Sequence, residues 1–223
     1  MGARVEPVEA TTERAHPPLD RDTIVEAALR VARRSGLEHL TMKALAEELG
    51  VSTMAPYRHV RSKEELLELM VDALYARVMI PPPSAGTWED RLRQLHASAF
   101  RELADYAGLS LQWPLLGVVT PRQRELGDAV LDLLHEAGFV GHEALLAWEA
   151  LFAYVSGQLA IVARSRTGDG PDGRSVRVLG AYLSERPEDA ATIPADEAFA
   201  AGYELVLTGL RVRLGERAGA ARR

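Results

Sequence analysis

The feature that most constrains this chain is a block of two short helical segments separated by a glycine turn. The block covers residues 40–67 and reads LTMKALAEELGVSTMAPYRHVRSKEELL. Thr41 is a favourable N-cap for a helix that ends at Gly50, and Ser52 or Thr53 is a favourable cap for a second, very short helix. Apolar residues recur at helical spacing in the first segment: Met42, Leu45, Ala46 and Leu49. The block predicts a helix-turn-helix, whose second helix is narrow and polar enough to enter a DNA major groove.

A further helix on each side completes a group of four helices within residues 20–80. The helix before the block shows one apolar face and stops at Gly36; that face consists of Ile24, Ala27, Ala28, Val31 and Ala32. After the block, Ser62 and Glu65 have the S-x-x-E form of a capping box, and the helix that they begin is expected to reach about Ile80. The run PPPSAG at residues 81–86 cannot continue a helix. It therefore marks the first domain boundary.

The rest of the chain carries helical periodicity and no alternating strand pattern. Helices are predicted over about 88–106, 121–137, 142–164 and 196–214. The stretch 108–120, GLSLQWPLLGVVT, is apolar but interrupted by Pro114 and Gly117, so we expect a broken or short helix there. The helices at 142–164 and 196–214 are apolar nearly all round, which is typical of helices buried on more than one side. The predicted fold class is all-α, with about nine helices.

Composition agrees with a globular protein of one or two domains. The chain has 223 residues, 47% of them hydrophobic and 26% charged, and no cysteine. Disulfides and thiolate metal sites are therefore excluded. We find no targeting segment and no stretch approaching the ~18 apolar residues of a membrane span, so we expect a cytoplasmic protein without membrane contact.

Charge is distributed unevenly along the chain. The net charge is −6, which argues against a generally basic nucleic-acid binder, yet residues 50–63 contain Arg58, Arg61 and Lys63 and no acidic residue. The chain has only two lysines, Lys43 and Lys63, and both lie in the first turn of a predicted helix in or beside the block. A cation there opposes the helix dipole, but it suits a site where a phosphate is bound. A local basic edge on an acidic protein favours phosphate binding at that edge.

These residues resemble the DNA-binding domain of TetR-type transcriptional regulators. The resemblance covers residues 20–80 and rests on Thr41 and Lys43, LAEELGVS, Tyr57-Arg58-His59-Val60 and SKEELL at 62–67. The segment FAAGYELVLTGL at 199–210 also resembles the closing segment of the tetracycline-repressor-like C-terminal domain. One departure is Pro56, where the family often has leucine. Proline within the first turn of a helix costs little, so a short third helix is still expected.

The resemblance implies a division of roles in DNA binding. Phosphates would be held by Thr41, Lys43, Tyr57, His59 and Lys63. Bases would be read by Ser52, Thr53, Met54 and Arg58, with Met54 able to touch a thymine methyl. Two alternatives remain open: Tyr57 as a core aromatic of the domain, and His59 as a structural histidine.

The same resemblance implies a domain plan and a mode of action. We expect a disordered tail at 1–19, the helix-turn-helix DNA-binding domain at 20–80, a ligand-binding and dimerisation domain at 85–215, and a flexible tail at 216–223. The implied function is that of a dimeric repressor released from a palindromic operator in double-stranded DNA by a small-molecule effector, unknown in identity. The helices at 142–164 and 196–214 would form the homodimer interface. Weak candidates for the effector pocket are His96, Trp113, Trp148 and Phe152.

Other signals do not support a catalytic or cofactor role. GDGPDG at 168–173 satisfies G-x-G-x-x-G, but it follows a helix and not a strand, so we interpret it as a surface loop. His96, His135 and His142 lack metal-ligand spacing, and no G-x-S-x-G, H-E-x-x-H or P-loop motif occurs. We therefore expect no cofactor, no metal and no enzymatic activity. The alternative is a helical small-molecule-binding protein or enzyme with no DNA role.

Overall fold

The described part of the chain is built from α-helices joined by turns and short 3₁₀-helices. A computed structural model describes residues 19–106, 108–109, 119–167 and 194–220. Within these ranges there are seven α-helices and no strand. They are α1 (Arg21–Ser35), α2 (Met42–Leu49), α3 (Lys63–Tyr75), α4 (Trp88–Ala104), α5 (Pro121–Ala137), α6 (His142–Thr167) and α7 (Ala195–Ala220). The all-α fold class is confirmed.

The first two helices begin and end where the sequence predicts. The Asp20 side chain caps α1 by accepting from the Thr23 amide at 2.8 Å, and Thr41 caps α2 by accepting from the Ala44 amide at 3.0 Å. Gly36 and Gly50 follow the two helices at φ of 90° and 67°, which glycine adopts without strain. The predicted apolar faces are buried, with Ile24, Ala28, Leu45 and Leu49 in the core.

The prediction of a second short α-helix starting at Ser52 or Thr53 is wrong. The segment forms a 3₁₀-helix over Pro56–Arg58. Pro56 has no amide hydrogen, so it cannot donate to the Ser52 carbonyl, and the Ala55 amide donates to that carbonyl at 2.9 Å instead. The His59 amide likewise donates to the Pro56 carbonyl three residues back, at 3.0 Å. Proline thus selects the tighter i→i−3 hydrogen-bond pattern.

Helix α3 begins as predicted but ends earlier. The Ser62 hydroxyl accepts from the Glu65 amide at 3.2 Å, as the S-x-x-E pattern implies. The Glu65 carboxylate, however, accepts from the amide of Arg61 and not from that of Ser62. The helix ends at Tyr75 and not near Ile80: the Ala76 amide still donates four residues back, but the amides of Arg77 and Val78 donate three residues back in tight turns.

The C-terminal helices pack around an aromatic core. Thr87 and Thr120 form capping boxes at the starts of α4 and α5. Phe100 of α4 stacks on Phe199 of α7, with ring centroids 4.3 Å apart, and Tyr203 stacks on Phe199 at 5.7 Å. The hydroxyl of Tyr154 on α6 donates to the Phe199 carbonyl at 2.7 Å. The buried residues of the N-terminal and C-terminal helices belong to one continuous hydrophobic cluster.

Several predicted boundaries change in the C-terminal part. Helix α6 extends to Thr167, and α7 continues to Ala220, past residue 216 where a flexible tail was expected. The sequence between 216 and 220 contains no proline, and its glycine and alanine residues do not stop the helix. The segment 110–118, the G-x-G-x-x-G loop at 168–173 and the N-terminal residues 1–18 lie outside the described residues.

Helix α6 qualifies the expectation about membrane spans. Residues His142–Ala163 are long and apolar enough to cross a membrane on length and composition alone, and most of this stretch is not buried within the chain. This is weak evidence for a span, because core helices of soluble proteins can meet the same criterion. The solvent-exposed side of α6 carries large apolar side chains, including Leu145 and Phe152.

Candidate functional site

The turn after α2 presents the base-reading candidates to solvent. Ser52, Thr53 and Arg58 are exposed, and Met54 is 68% exposed. Tyr57 is 44% exposed, so the alternative of a core aromatic at this position is wrong. A methionine of this exposure on a protein surface is available to an apolar group such as a thymine methyl.

The apolar side chains that anchor this turn are Pro56 and Val60. Both are buried, and Val60 is only 1% exposed. The residue that departs from the family pattern, Pro56, therefore serves as a core residue. The turn is fixed from beneath by these two side chains, while its outer side is free for a partner.

The phosphate candidates surround this turn at the starts of α2 and α3. Thr41 is exposed, and its hydroxyl oxygen accepts from the Ala44 amide, which leaves its hydrogen to donate outward. Lys43 is exposed, and its Nζ lies 3.9 Å from Glu47 Oε1. Lys63 is the exposed first residue of α3, and His59 is half-buried at the end of the turn. These positions provide hydroxyl, ammonium and imidazole donors on one part of the surface.

Of the three basic residues within 50–63, only Arg61 makes one of the described ion pairs. The ion pairs described around the turn are made by Arg21, Lys43 and Arg61. Arg58 and Lys63 take part in none of these pairs. A phosphate is bound most strongly by a cation that is not already neutralised, so Lys63 is the strongest candidate for a phosphate contact, while the charge of Arg58 stays available for a base edge.

Sequence reasoning missed the contacts that hold the end of the turn. The Arg21 Nε donates to the His59 carbonyl at 3.0 Å, and its terminal nitrogen lies 3.3 Å from Glu65 Oε1. Glu65 Oε2 accepts from the Arg61 amide at 2.6 Å and from Arg61 Nε at 3.1 Å. The hydrogen bond from the Arg61 amide lowers the pKa of Glu65 most, and the hydrogen bond from the Arg61 guanidinium lowers it further. The S-x-x-E pattern marked Glu65, but only as a helix cap.

The predicted effector residues occupy two separate environments. His96 of α4 is buried, and its Nδ1 lies 2.6 Å from the Tyr203 hydroxyl of α7. Burial lowers the pKa of His96 to about 4, so this side chain is neutral at pH 7. Trp148 of α6 is half-buried and stacks on Phe152, with centroids 5.2 Å apart; Phe152 is largely exposed. Trp113 lies outside the described residues.

A cavity of about 200 Å³ lies apart from these candidates. It opens between the start of α6 and the end of α7 and has an apolar lining with one acid and one base at its rim. Its lining residues are Phe139, Glu143, Leu146, Ala147, Ala150, Leu210 and Arg213. Within the described ranges, no group of three potential metal ligands lies close enough to hold an ion.

Comparison with known proteins assigns both parts of the chain. The family described as bacterial regulatory proteins, tetR family, matches residues 24–70, and the family described as tetracyclin repressor-like, C-terminal domain, matches residues 80–214. An HTH-type transcriptional regulator of Saccharopolyspora erythraea is 32% identical over 188 residues, covering 82% of this chain and 78% of the relative.

Two further relatives extend the comparison. The HTH-type transcriptional repressor DrrR1 of Streptomyces coeruleorubidus is 31% identical over 226 residues, covering 91% of this chain and 81% of the relative. Among solved structures, the Streptomyces coelicolor TetR family protein ActR in complex with actinorhodin matches with a TM-score of 0.66 and 25% identity. That match covers 89% of this chain and all of ActR.

Proposed function

The chain belongs to the TetR family of bacterial regulatory proteins, and from this premise we propose that it is a cytoplasmic homodimeric repressor released from a palindromic operator by a small-molecule effector. At the family level it is a ligand-responsive DNA-binding transcriptional regulator. One observation carries the DNA-binding proposal: the turn at 52–58 exposes Met54, Tyr57 and Arg58, and the next helix begins with the exposed cation of Lys63. We propose no catalytic activity, in line with relatives that are named as transcriptional regulators.

The residue roles follow from chemistry and exposure. We propose that Ser52, Thr53, Met54 and Arg58 contact base edges, because they lie on the exposed side of the turn. We propose that a second set contacts phosphates and fixes register, since its hydroxyl, ammonium and imidazole groups are typical phosphate donors. That set consists of Thr41, Lys43, Tyr57, His59 and Lys63.

The homodimer is supported by apolar surface that the chain leaves uncovered on α6 and α7. Large exposed side chains lie along both helices: Leu145, Leu146, Phe152 and Ile161 on α6, and Leu205 and Val212 on α7. Gly157 and Gly209 on the same helices face open space, which permits the close approach of a second backbone. Exposed apolar surface of this extent is typical of an interface. A two-fold axis through it would produce a four-helix bundle and set the spacing of two recognition turns at about 34 to 36 Å.

Repression and release are the finer part of the proposal. DrrR1 is named as a transcriptional repressor, and ActR was solved in complex with actinorhodin. By similarity, we propose that an effector binds the C-terminal domain at one of the two places that hold the predicted residues: beside the buried His96, or beside the stacked pair Trp148 and Phe152 on α6. The effector would lower operator affinity by preferring one of two domain arrangements, with a coupling of about 1 to 3 kcal/mol.

Contacts between the domains provide a route for that coupling. The Asp72 carboxylate of α3 accepts from the Arg122 amide at the start of α5, at 2.9 Å. The Met79 amide donates to the buried Ser98 hydroxyl of α4 at 3.0 Å. A shift of α4 or α5 would therefore move α3 and the turn that α3 follows.

The proposal is tested with purified protein and DNA. Footprinting on the intergenic DNA that flanks the gene, together with selection from a random duplex library, should yield a palindromic protected site. Sedimentation at micromolar concentration should give a dimer. A species near the 24.4 kDa monomer mass would contradict the dimer, and failure to enrich any duplex would contradict the DNA-binding proposal.

A further inference from the structure

The turn that faces DNA in the proposed function is too short to define its own orientation. Its 3₁₀-helix covers only Pro56–Arg58 and uses i→i−3 bonds, whose geometry is poorer than that of an α-helix. Pro56 and Val60 anchor its inner side by burial. Apolar burial is not directional, so polar contacts must fix the direction in which the outer side points.

One carboxylate collects those polar contacts. Glu65 belongs to α3 and its side chain is only 13% exposed. Its two oxygens serve two different arginines: Oε2 accepts twice from Arg61, and Oε1 pairs with Arg21 of α1. Arg21 in turn donates to the His59 carbonyl at the end of the turn. The contacts form a closed link between α1, the last residues of the turn and α3.

We infer that Glu65 is a positioning residue for DNA recognition, which orients the turn at 56–60 against α1 and α3 through Arg21 and Arg61. The inference rests on the proposed function, because it takes the outer side of this turn as the surface that reads bases. Glu65 itself touches no DNA in this scheme. An amide cannot replace it, because glutamine has one acceptor oxygen where the two arginines use both carboxylate oxygens.

If Glu65 acted only through its negative charge, its loss would change DNA affinity in the opposite direction from the change expected if it positions the turn. A negative charge close to a phosphate-binding surface repels DNA, so its removal should strengthen binding to every sequence. If Glu65 orients the turn, its removal should instead weaken binding to the matched sequence and leave the sequence-independent part intact. The sign of the change on a specific duplex therefore separates the two roles.

The experiment compares Glu65→Gln with Glu64→Gln. Glu64 carries the same charge one residue earlier in the first turn of α3. Its carboxylate interacts with its own backbone amide, with Ser62 and with the charge of Lys63, but with no arginine. The probes are the duplex that the wild-type chain enriches from a random library and a scrambled duplex of the same length and composition. Glu65→Gln should lose about tenfold in affinity for the enriched duplex and nothing for the scrambled one. Glu64→Gln should lose nothing on either duplex.

A second variant tests the link from its other end. Arg21→Gln removes the guanidinium that donates to the His59 carbonyl and pairs with Glu65, and should also lower the ratio of specific to non-specific affinity. Because Arg21 and Glu65 act through one link, the double variant should lose less than the product of the two single losses. If Glu65→Gln does not fold, the ratio of specific to non-specific affinity in Arg21→Gln is the deciding measurement.

Three results would overturn the inference. In the first, Glu65→Gln binds the enriched duplex as tightly as the wild type or more tightly. In the second, it loses the same affinity on both duplexes. In the third, the loss of affinity of the double variant equals the product of the two single losses. The failure of the proposed function is seen separately and earlier, because a wild-type chain that enriches no duplex fails before any variant is made.

Discussion

The segment at 52–63, which we propose reads DNA, and the α6–α7 pair differ in what holds them and in what they leave exposed. The first is a short turn held by two buried side chains and a polar link through Glu65, and it exposes cations and hydroxyls. The second is a pair of 26-residue helices held by apolar and aromatic packing, and it exposes large apolar side chains. A surface that releases its partner should be polar and salt-sensitive, whereas a permanent interface should be apolar.

The largest effect should come from charging the α6–α7 face. Leu205 is 76% exposed on α7, so Leu205→Glu should leave the folded monomer intact but bury a carboxylate in the dimer. We expect a monomer in sedimentation and a loss of operator affinity of about a hundredfold or more, because joint binding of two half-sites is lost. Val119→Glu, on an exposed apolar residue outside both helices, is the matched control and should remain dimeric. A dimeric Leu205→Glu would contradict the assignment of the face.

The second effect concerns acid stability and should arise in the C-terminal domain. The pKa of His96 is lowered to about 4 in the folded state, below the ~6.5 of an unfolded histidine, so the unfolded chain binds more protons between these values. The free energy of unfolding is therefore highest above pH 6.5, and it falls as the pH drops towards 4. From pH 7 to pH 5 we expect a loss of about 2 kcal/mol from this group.

Thermal unfolding at the two pH values measures this loss. In His96→Gln, which keeps a polar side chain for Tyr203, the fall in Tm between pH 7 and pH 5 should shrink. The lowered carboxyl pKa values, such as that of Glu48 beside Arg30 and Arg34, act in a more acidic window. An identical pH dependence in wild type and variant would show that His96 is not the group responsible.

A smaller effect should come from a single phosphate contact. Lys63→Ala should weaken binding to all duplexes by a similar factor of several-fold and should flatten the slope of log K against log salt by about one unit. Affinity titrations between 50 and 200 mM salt measure it. Arg101→Ala removes one exposed charge from α4 and should leave the slope unchanged. A wild-type slope in Lys63→Ala would rule out the phosphate contact.

The smallest change in total affinity should accompany the loss of a base contact. Thr53→Ala removes one hydroxyl from the exposed side of the turn, so the preferred base at one operator position should relax by about 1 to 3 kcal/mol. Repeating the library selection with the variant reports the preference directly. If the same operator returns with equal stringency at every position, Thr53 does not read bases.

The exposed parts of the DNA-reading surface could be predicted from the sequence, because caps, glycine stops and polar turn residues act locally. Thr41 and Ser62 cap the helices that they were expected to cap, and Met54 and Arg58 are exposed as a reading surface requires. The type of helix at 56–58 was predicted wrongly, although Pro56 was noticed. The missing amide of Pro56 costs little at the start of a helix, but it also removes a hydrogen bond to the residue four positions back and so favours 3₁₀ bonding.

The surroundings of the candidate effector residues could be predicted less well, because their neighbours are set by packing between distant helices. His96 and Tyr203 are 107 positions apart, and nothing in the local sequence of either residue indicates that they lie 2.6 Å from each other. An aromatic residue on a helix face predicts burial but not the identity of its neighbour. Trp148 and Phe152, four residues apart on α6, form the one ring contact among the candidates that helical spacing predicts.

The amino-acid sequence by itself determined the helical class, the place of the helix-turn-helix and the family, since periodicity, caps and a short motif are encoded by neighbouring residues. Only the tertiary structure decided that Glu65 links α1 to the end of the turn and that α6 and α7 leave an apolar surface uncovered. Both depend on which side of each helix its neighbours cover. That choice is made by the packing of the whole chain, because the burial of apolar surface does not depend on sequence separation.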